Sequence, residues 1–299
     1  MLAQAENKIV IEGILSEVNI KSGEFMNRTT QQMMPYYTGS IKVRVSQEIN
    51  GVNEDMEVPV YCFASKYTSK GNENPAYKSI SDVVNNFTSI AAGGIERASR
   101  IRITSASIRE NAFYGQDGKL ISAPRIESSF FQKIGSDVCA PKATFKNTIC
   151  IGNIREEVDK SGEVTGRLIV QGIIPQYGGK VDVVNFVVGS RDAVDHIQNY
   201  WNKGDTVNIV GKLNFSSRTE YVEEAMGFGE PVRTAKTINI HELIITSGSA
   251  GCLEGDLAYD TAEIAEALQA RQVRLEELKN KSKEKSAAKP KDQFADLGF

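Results

Sequence analysis

The sequence has few of the residues on which imidazole and metal chemistry depend. It contains 2 His, 8 Pro and 1 Trp in 299 residues. Two histidines offer little material for a catalytic triad or a metal site, and we expect His196 and His241 to be structural. We expect Trp201, at the end of a helical stretch, to fill one end of a core.

Cysteine is also scarce, and no apolar run approaches the roughly 18 residues that a membrane span needs. The four cysteines (Cys62, Cys139, Cys150 and Cys252) show no C-x-x-C or Cys/His spacing that would hold zinc. The N-terminus lacks a charged segment followed by a long apolar one, so no signal peptide is expected. These absences predict reduced thiols and a cytoplasmic location.

Neither sign of charge is in excess, because 35 Lys and Arg face 38 Asp and Glu, for a net charge of −3. No segment is a basic block, so any anion-binding site must come from local placement on one face. The chain also has no paired Asp/Glu motif, no Cys–His arrangement and no phosphate-binding glycine loop. We therefore predict a non-catalytic protein that needs no cofactor and no metal.

The chain repeats one pattern of elements in two halves. The segment "KIVIEGILSEVNIKSGE" (8–24) corresponds to "NTICIGNIREEVDKSGE" (147–163), and each is followed by two more alternating strands. Each half then has a short helical stretch, a fourth strand, a hairpin and a closing strand, which is 125–134 in the first half and 236–245 in the second. Six elements in the same order indicate an internal duplication.

Three strands, one short helix and two further strands predict a mainly β chain of two tandem five-stranded OB-fold barrels. A two-sheet sandwich is the alternative. The predicted domains are residues 1–139, 140–248 and 249–299, the last holding a helix and a tail. Gly204 is expected in a turn that needs a positive φ, and Gly211 at a bend inside a strand.

Two stretches carry a family resemblance. "YWNKGDTVNIVGKL" (200–213) resembles the entry to the fourth strand of bacterial and phage single-stranded-DNA-binding proteins, and "GFGEPVRTAKTINIHELII" (227–245) resembles their closing hairpin. Two barrels and a tail resemble the phage or plasmid type. The resemblance implies coating and protection of single-stranded DNA with little sequence preference, during DNA replication, recombination or repair in a bacterial host cell.

Single-strand binding needs aromatic platforms for bases and basic groups for phosphates. Basic and aromatic residues alternate along several predicted strands, and others lie in the long loop "GEFMNRTTQQMMPYYTG" (23–39). The predicted DNA-binding residues are Phe25, Arg28, Tyr36, Tyr37, Lys42, Arg44, Tyr61, Phe63, Arg100, Arg102 and Tyr114 in the first half. In the second half they are Arg155, Arg167, Tyr177, Lys180, Phe186, Lys212, Phe215, Arg218 and Tyr221.

The C-terminal region predicts a helix over 260–285, with an apolar stripe at Ile264, Leu268, Leu275 and Leu278, then a charged linker over 279–291. The chain ends "DQFADLGF". The resemblance implies that its tip recruits replication proteins such as a polymerase, helicase or primase. The tip residues are Asp292, Phe294, Asp296, Leu297 and Phe299, which provide fewer acids than the family has and Leu-Gly-Phe in place of Ile-Pro-Phe.

Two other functions fit the same sequence features. OB-folds also bind RNA and proteins, so the chain is alternatively an RNA-binding protein or a protein-interaction and assembly module.

Overall fold

The structure, a computed structural model, describes residues 2–27, 31–115, 117–224 and 232–287. The first half of the chain contains β1 (Asn7–Met26), β2 (Met33–Ile49), β3 (Val52–Ser65), α1 (Pro75–Asn86), α2 (Ile90–Gly93), β4 (Arg100–Tyr114), β5 (Leu120–Glu127) and β6 (Gln132–Ile134). The second half contains β7 (Lys142–Val158), β8 (Val164–Gln176), β9 (Lys180–Val188), α3 (Arg191–Tyr200), β10 (Thr206–Asn214), β11 (Ser217–Glu224), β12 (Val232–Asn239), β13 (Glu242–Gly248) and α4 (Thr261–Ala287). The predicted mainly β class is confirmed.

Period-2 alternation of apolar residues explains why these segments are strands. In β2, Ile41, Val43 and Val45 are fully buried, and the residues between them are partly exposed. A strand points successive side chains to opposite faces, so this spacing buries one face and leaves the other to solvent.

The strand pairings follow the same circuit in both halves. In the first half, β1 pairs with β2, β2 with β3, β3 with β5, β5 with β4, and β4 with β1. In the second half the corresponding order is β7, β8, β9, β13, β10 and back to β7. Strands β11 and β12 form a separate two-stranded ribbon between β10 and β13. Each circuit has a helix between its third and fourth strands, α1 or α3.

The two halves share one sheet and one core. Strand β1 pairs antiparallel with β7 from Asn7↔Asn147 to Glu12↔Lys142, which joins the circuits into a sheet of eleven strands. The Gln47 side chain donates to the Leu213 carbonyl at 2.9 Å and accepts from the Ala143 amide at 2.8 Å. Strand β2 of the first half is therefore tied to two strands of the second half.

Two glycines occupy the positions predicted for them. Gly204 has φ +94° in the turn after α3, a value that favours glycine. At Gly211 the β10–β13 register shifts, and a Cβ there would lie 2.0 Å from the Ile244 carbonyl oxygen. Any larger residue at 211 would push β10 away from β13.

Two predicted segments differ from the structure. The long loop 23–39 is mostly strand, because β1 continues to Met26 and β2 begins at Met33. The closing strand 125–134 is two strands: β5 ends at Glu127, and β6 pairs with the other end of β4. The polar composition of residues 23–39 did not show that β1 and β2 stay paired as far as Met26↔Met33.

Helix α4 packs on the chain's own sheet. Ile264, Ala267 and Leu275 are buried, Leu268 is partly buried, and Leu278 is 37% exposed, so most of the predicted stripe faces the protein. The helix runs to Ala287, so the first residues of the predicted linker are helical. In the described part of the chain, every helix is too short or too polar to span a membrane.

A buried ion pair holds α4 to both halves. Arg271 donates from Nε to Glu110 Oε2 at 2.7 Å and makes a second bond to Oε1. The Glu110 side chain is 1% exposed, and it also accepts from the Val183 amide of β9. Burial alone would raise the pKa of Glu110, but the bonds and charge of Arg271 hold that pKa below its usual value.

Replacing Arg271 with Leu should strongly destabilise the fold, because it leaves Glu110 buried without its partner. We expect a loss of about 3–5 kcal/mol in the free energy of unfolding at neutral pH. Urea titration followed by circular dichroism measures it, and Lys281→Leu, at an exposed site on the same helix, is the control.

The loss should shrink on acidification. In the wild type the Glu110 contribution is complete above pH 4.5, the unfolded pKa, and is lost as pH falls through the lower folded pKa. In the variant, burial raises the folded pKa, so protonation relieves the penalty as pH falls towards 4.5. A difference in stability that stays constant with pH would contradict this account.

Candidate functional site

Three aromatic side chains form a row on the outer face of β1, β2 and β3. The ring centroids of Phe25 and Tyr36 are 5.8 Å apart, and those of Tyr36 and Phe63 are 5.7 Å apart. Phe25 is 41% exposed and Phe63 is 57% exposed. We call Phe25, Tyr36 and Phe63 the aromatic row; all three were predicted as binding residues.

Strand register places the row. Tyr36 lies opposite Gly23, and Phe63 lies opposite Thr38. A Cβ at Gly23 would lie 2.7 Å from Cζ of Tyr36, so the missing side chain leaves room for the Tyr36 ring over β1. Cys62 and Ala64, on either side of Phe63, are buried, so Phe63 must face outward.

The face continues from the row to Tyr61, which is stacked with an arginine. The Arg125 guanidinium lies 4.4 Å from the Tyr61 ring centroid, and Arg125 Nε is 3.1 Å from Glu127 Oε1. A cavity of about 400 Å³ is lined by Tyr61, Phe63, Arg125 and Phe130. Phe130 is 50% exposed. Arg125 and Phe130 were not among the predicted binding residues, although both lie within the predicted closing strand 125–134.

The predicted cations of this face are paired with carboxylates. Lys42 Nζ is 2.7 Å from Glu17 Oε2, and Arg44 bonds Asp55 through Nε and Nη2. The hydrogen bond from Lys42 lowers the pKa of Glu17, and the hydrogen bond from Arg44 lowers the pKa of Asp55. Both acids are therefore ionised at neutral pH, and the expected basic lining is close to neutral.

Other predicted residues of the first half lie away from the row. Tyr37 points inward, where its ring centroid is 4.7 Å from the ring centroid of Tyr77 on α1. Tyr114 lies on the β4–β5 hairpin beside α4, with Lys279 Nζ 5.9 Å from its ring centroid. Arg100 donates to backbone carbonyls.

Arg102 is held by Glu12, whose side chain is only 1% exposed, with 2.8 Å between Arg102 Nε and Glu12 Oε2. The hydrogen bond from Arg102 lowers the pKa of Glu12 against the opposing effect of burial. Arg102 therefore neutralises a buried acid, and its role as a phosphate contact stays a prediction.

The described residues of the second half do not form a matching face. Phe186 is fully buried against Phe145, and Phe215 is 5% exposed, so both are core residues rather than base platforms. Arg167 lies between Glu157 and Glu242, and Lys212 donates to the Glu48 carbonyl at 2.7 Å. Parity along β9 could have shown this, since polar Asn185 alternates with Phe186.

The remaining predicted residues are exposed but dispersed, or outside the described residues. Tyr177 is 86% exposed in the β8–β9 turn, close to Lys180, and Arg155 lies on β7. Tyr221 is 61% exposed on the β11–β12 ribbon, with the Arg233 guanidinium 4.7 Å from its ring centroid. Outside the described residues are Arg28, the Arg218 side chain, and the tip residues Asp292, Phe294, Asp296, Leu297 and Phe299.

A groove of about 690 Å³ separates the β2–β3 face from the base of the ribbon. Lys42, Arg44 and Tyr61 line it from the first half, and Phe215 and His241 line it from the second. The His241 ring stacks on Phe215 with centroids 4.9 Å apart and 23° between planes. Partial burial lowers the pKa of His241, although the residue as a whole is exposed. This groove was not foreseen, because it exists only once the halves are docked.

Among the described side chains, no three His, Cys, Asp or Glu residues come together as metal ligands.

The whole arrangement falls within one protein family. A family model described as YorF matches residues 5–281. The chain belongs to the YorF family. The match includes both strand circuits and most of α4 of this YorF-family chain. No curated protein sequence matches it.

Three solved structures show a distant likeness to this YorF-family chain. The wild-type single-stranded DNA binding protein from Thermus aquaticus is 9% identical, with a TM-score of 0.45, covering 86% of this chain and 98% of its own. A deletion mutant of that protein gives the same identity and TM-score over 84% and 97%. A replication protein A heterotrimer bound to ssDNA is 10% identical, with a TM-score of 0.23, over 91% and 70%.

The difference in burial between Phe63 and Phe186 predicts a difference in stability. Phe186→Ala should cost about 3–5 kcal/mol of unfolding free energy, because it opens a cavity in the core. Phe63→Ala should cost less, because Phe63 is 57% exposed and its pairing with Tyr36 contributes only about 0.5–1.5 kcal/mol beyond the area that it buries. Chemical denaturation of both variants measures this, and equal losses would contradict the assignment.

Proposed function

We propose that this chain binds single-stranded DNA without catalysis and with little sequence preference, and that the aromatic row is its main platform. The observation that carries the proposal is the aromatic row itself. The centroids of its neighbouring rings are less than 6 Å apart, and the rings share one partly exposed face. Exposed aromatic rings stack on bases of any sequence, and each stacked base contributes roughly 1–3 kcal/mol.

The proposal includes the fold. Each strand circuit is interpreted as a five-stranded OB-fold barrel, and the two as tandem copies spanning residues 1–139 and 140–248. The shared pairing order and the helix after the third strand support this interpretation. OB-folds bind oligonucleotides mainly across their second and third strands. In the first half those strands are β2 and β3, which carry Tyr36 and Phe63.

Binding is assigned mainly to the first half. In the second half, Ile173 of β8 and Val181 of β9 pack against Ile264 and Ala267 of α4. Part of the second circuit's outer face is therefore covered by the chain itself. The short turn between β7 and β8 also brings no aromatic row.

The biological setting proposed is the coating and protection of single strands during phage DNA replication or recombination. The C-terminal tip is proposed to recruit a replication protein, with Phe294 and Phe299 as apolar contacts and Asp292 and Asp296 as charged ones. This part of the proposal rests on the sequence resemblance.

The double variant Tyr36→Ala/Phe63→Ala should bind oligo-dT at least tenfold more weakly, because two stacked bases lose roughly 1–3 kcal/mol each. Fluorescence anisotropy of a labelled oligonucleotide measures the affinity, with RNA and duplex DNA of equal length in parallel. Tyr200→Ala is the matched control, since Tyr200 is 59% exposed on α3. Unchanged affinity in the double variant would exclude the row, and preference for RNA would change the ligand.

The same titration, repeated over salt concentration, tests the paired charges. Each phosphate neutralised on a single strand adds about 0.7 to the slope of log affinity against log salt. Because Lys42 and Arg44 are already paired, we expect a slope shallower than about 2, or roughly three phosphates or fewer. A much steeper slope would show that these cations leave their carboxylates on binding.

Deleting 288–299 should leave oligo-dT affinity equal or higher, because the deleted segment balances two Lys with two Asp and contains no predicted DNA contact. The truncated and full-length chains can be compared in the same anisotropy assay. A large loss of affinity would show that the tip belongs to the DNA-binding surface.

A further inference from the structure

The groove between the two halves is composite, since neither half encloses it alone. One wall is the outer face of β2 and β3, including Lys42 and Tyr61. The other wall is the base of the ribbon, including Ser217, Asn239 and His241. Its volume of about 690 Å³ is within the range of roughly 300–1,000 Å³ typical of small-ligand sites.

The groove continues the surface that carries the aromatic row. Phe63, Tyr61, Pro59, Glu57 and Asp55 follow one another along the outer face of β3. At about 3.3 Å per residue, the distance from Phe63 to Glu57 is roughly 20 Å. A single strand of DNA held at the aromatic row can therefore reach the groove by following the outer face of β3.

His241 is the aromatic side chain that the second half adds to this path. It is exposed, and it lines the groove while its ring rests on buried Phe215. A ring fixed by a stack on the core loses little conformational freedom when a ligand stacks on it. The tilt of only 23° between the two rings leaves His241 as a flat platform.

The charges of the groove suit bases as well as phosphates. The Lys42 and Arg44 cations are balanced by Glu17, Asp55 and Glu57. Carboxylates accept hydrogen bonds from base N–H groups, such as the amino group of cytosine or N3–H of thymine, and they disfavour close approach of several phosphates. An aromatic ring beside mixed charges is therefore better suited to one nucleotide than to an inorganic anion.

We propose that the groove is a second nucleotide subsite, in which a base of the same single strand stacks on His241. This inference rests on the proposed function, and it makes the second half a direct contributor to binding. It also assigns His241, expected from the sequence to be structural, to the ligand.

The test compares oligonucleotides that reach the groove with those that do not. Anisotropy is measured with oligo-dT of about 4 and about 16 nucleotides, the limits of one OB domain's site size. His241→Ala should weaken binding of the longer oligonucleotide by roughly fivefold or more, the lower end of one stacked base. Binding of the shorter one, which the aromatic row accommodates, should not change.

Two further variants sharpen the result. His241→Phe keeps a flat ring on Phe215 and should restore binding of the longer oligonucleotide, whereas Tyr200→Ala should affect neither length. If His241→Ala binds both lengths like the wild type, the subsite is wrong and the proposed function stands. If the wild type binds neither length, the proposed function itself fails.

Discussion

The structure depends on the antiparallel pairing of β1 with β7. That ladder merges the two strand circuits into one sheet, so the halves cannot rotate independently without breaking backbone hydrogen bonds. The side chain of Gln47 and the α4 ion pair of Glu110 with Arg271 add two more connections. Because the orientation is fixed, the ribbon base of the second half always lies across the β2–β3 face of the first.

The two halves have the same strand order but different surfaces. The first half extends its first hairpin and places Phe25 and Tyr36 on it, whereas the second half has a short turn there. The second half instead uses part of its outer face to bind α4 through Ile173 and Val181. The repeated architecture thus exposes an aromatic row in one copy and packs α4 on the outer face of the other.

The sequence predicted the strands well because alternation reports local burial. It also predicted the positions of Gly204, Gly211 and the apolar stripe of α4. Alternation does not show which distant residues carry the charges that pair in the fold. The acidic partners of Arg102 and Arg271 were therefore missed, since they lie 90 and 161 residues away in the chain.

The two phenylalanines of the third strands show a signal that was available. Phe63 and Phe186 were treated alike, but neighbouring residues on each strand separate them. Phe63 alternates with buried Cys62 and Ala64, whereas Phe186 shares parity with buried Val184 and Val188. Assigning each residue to the same strand face as the most apolar positions, or to the opposite face, distinguishes a core ring from an outward ring. Surfaces formed where the two halves dock can be recognised only in the tertiary structure.

The pairing of cations on the β2–β3 face has a kinetic consequence for the proposed DNA binding. Long-range attraction of a polyanion requires unbalanced positive potential, and Arg44 with Asp55 or Lys42 with Glu17 supplies almost none. Encounter with a nucleic acid would then proceed nearer the unsteered rate of about 10⁵–10⁶ M⁻¹s⁻¹ than the steered 10⁸–10⁹. Such a protein would gain its hold on a strand by slow departure rather than by rapid capture.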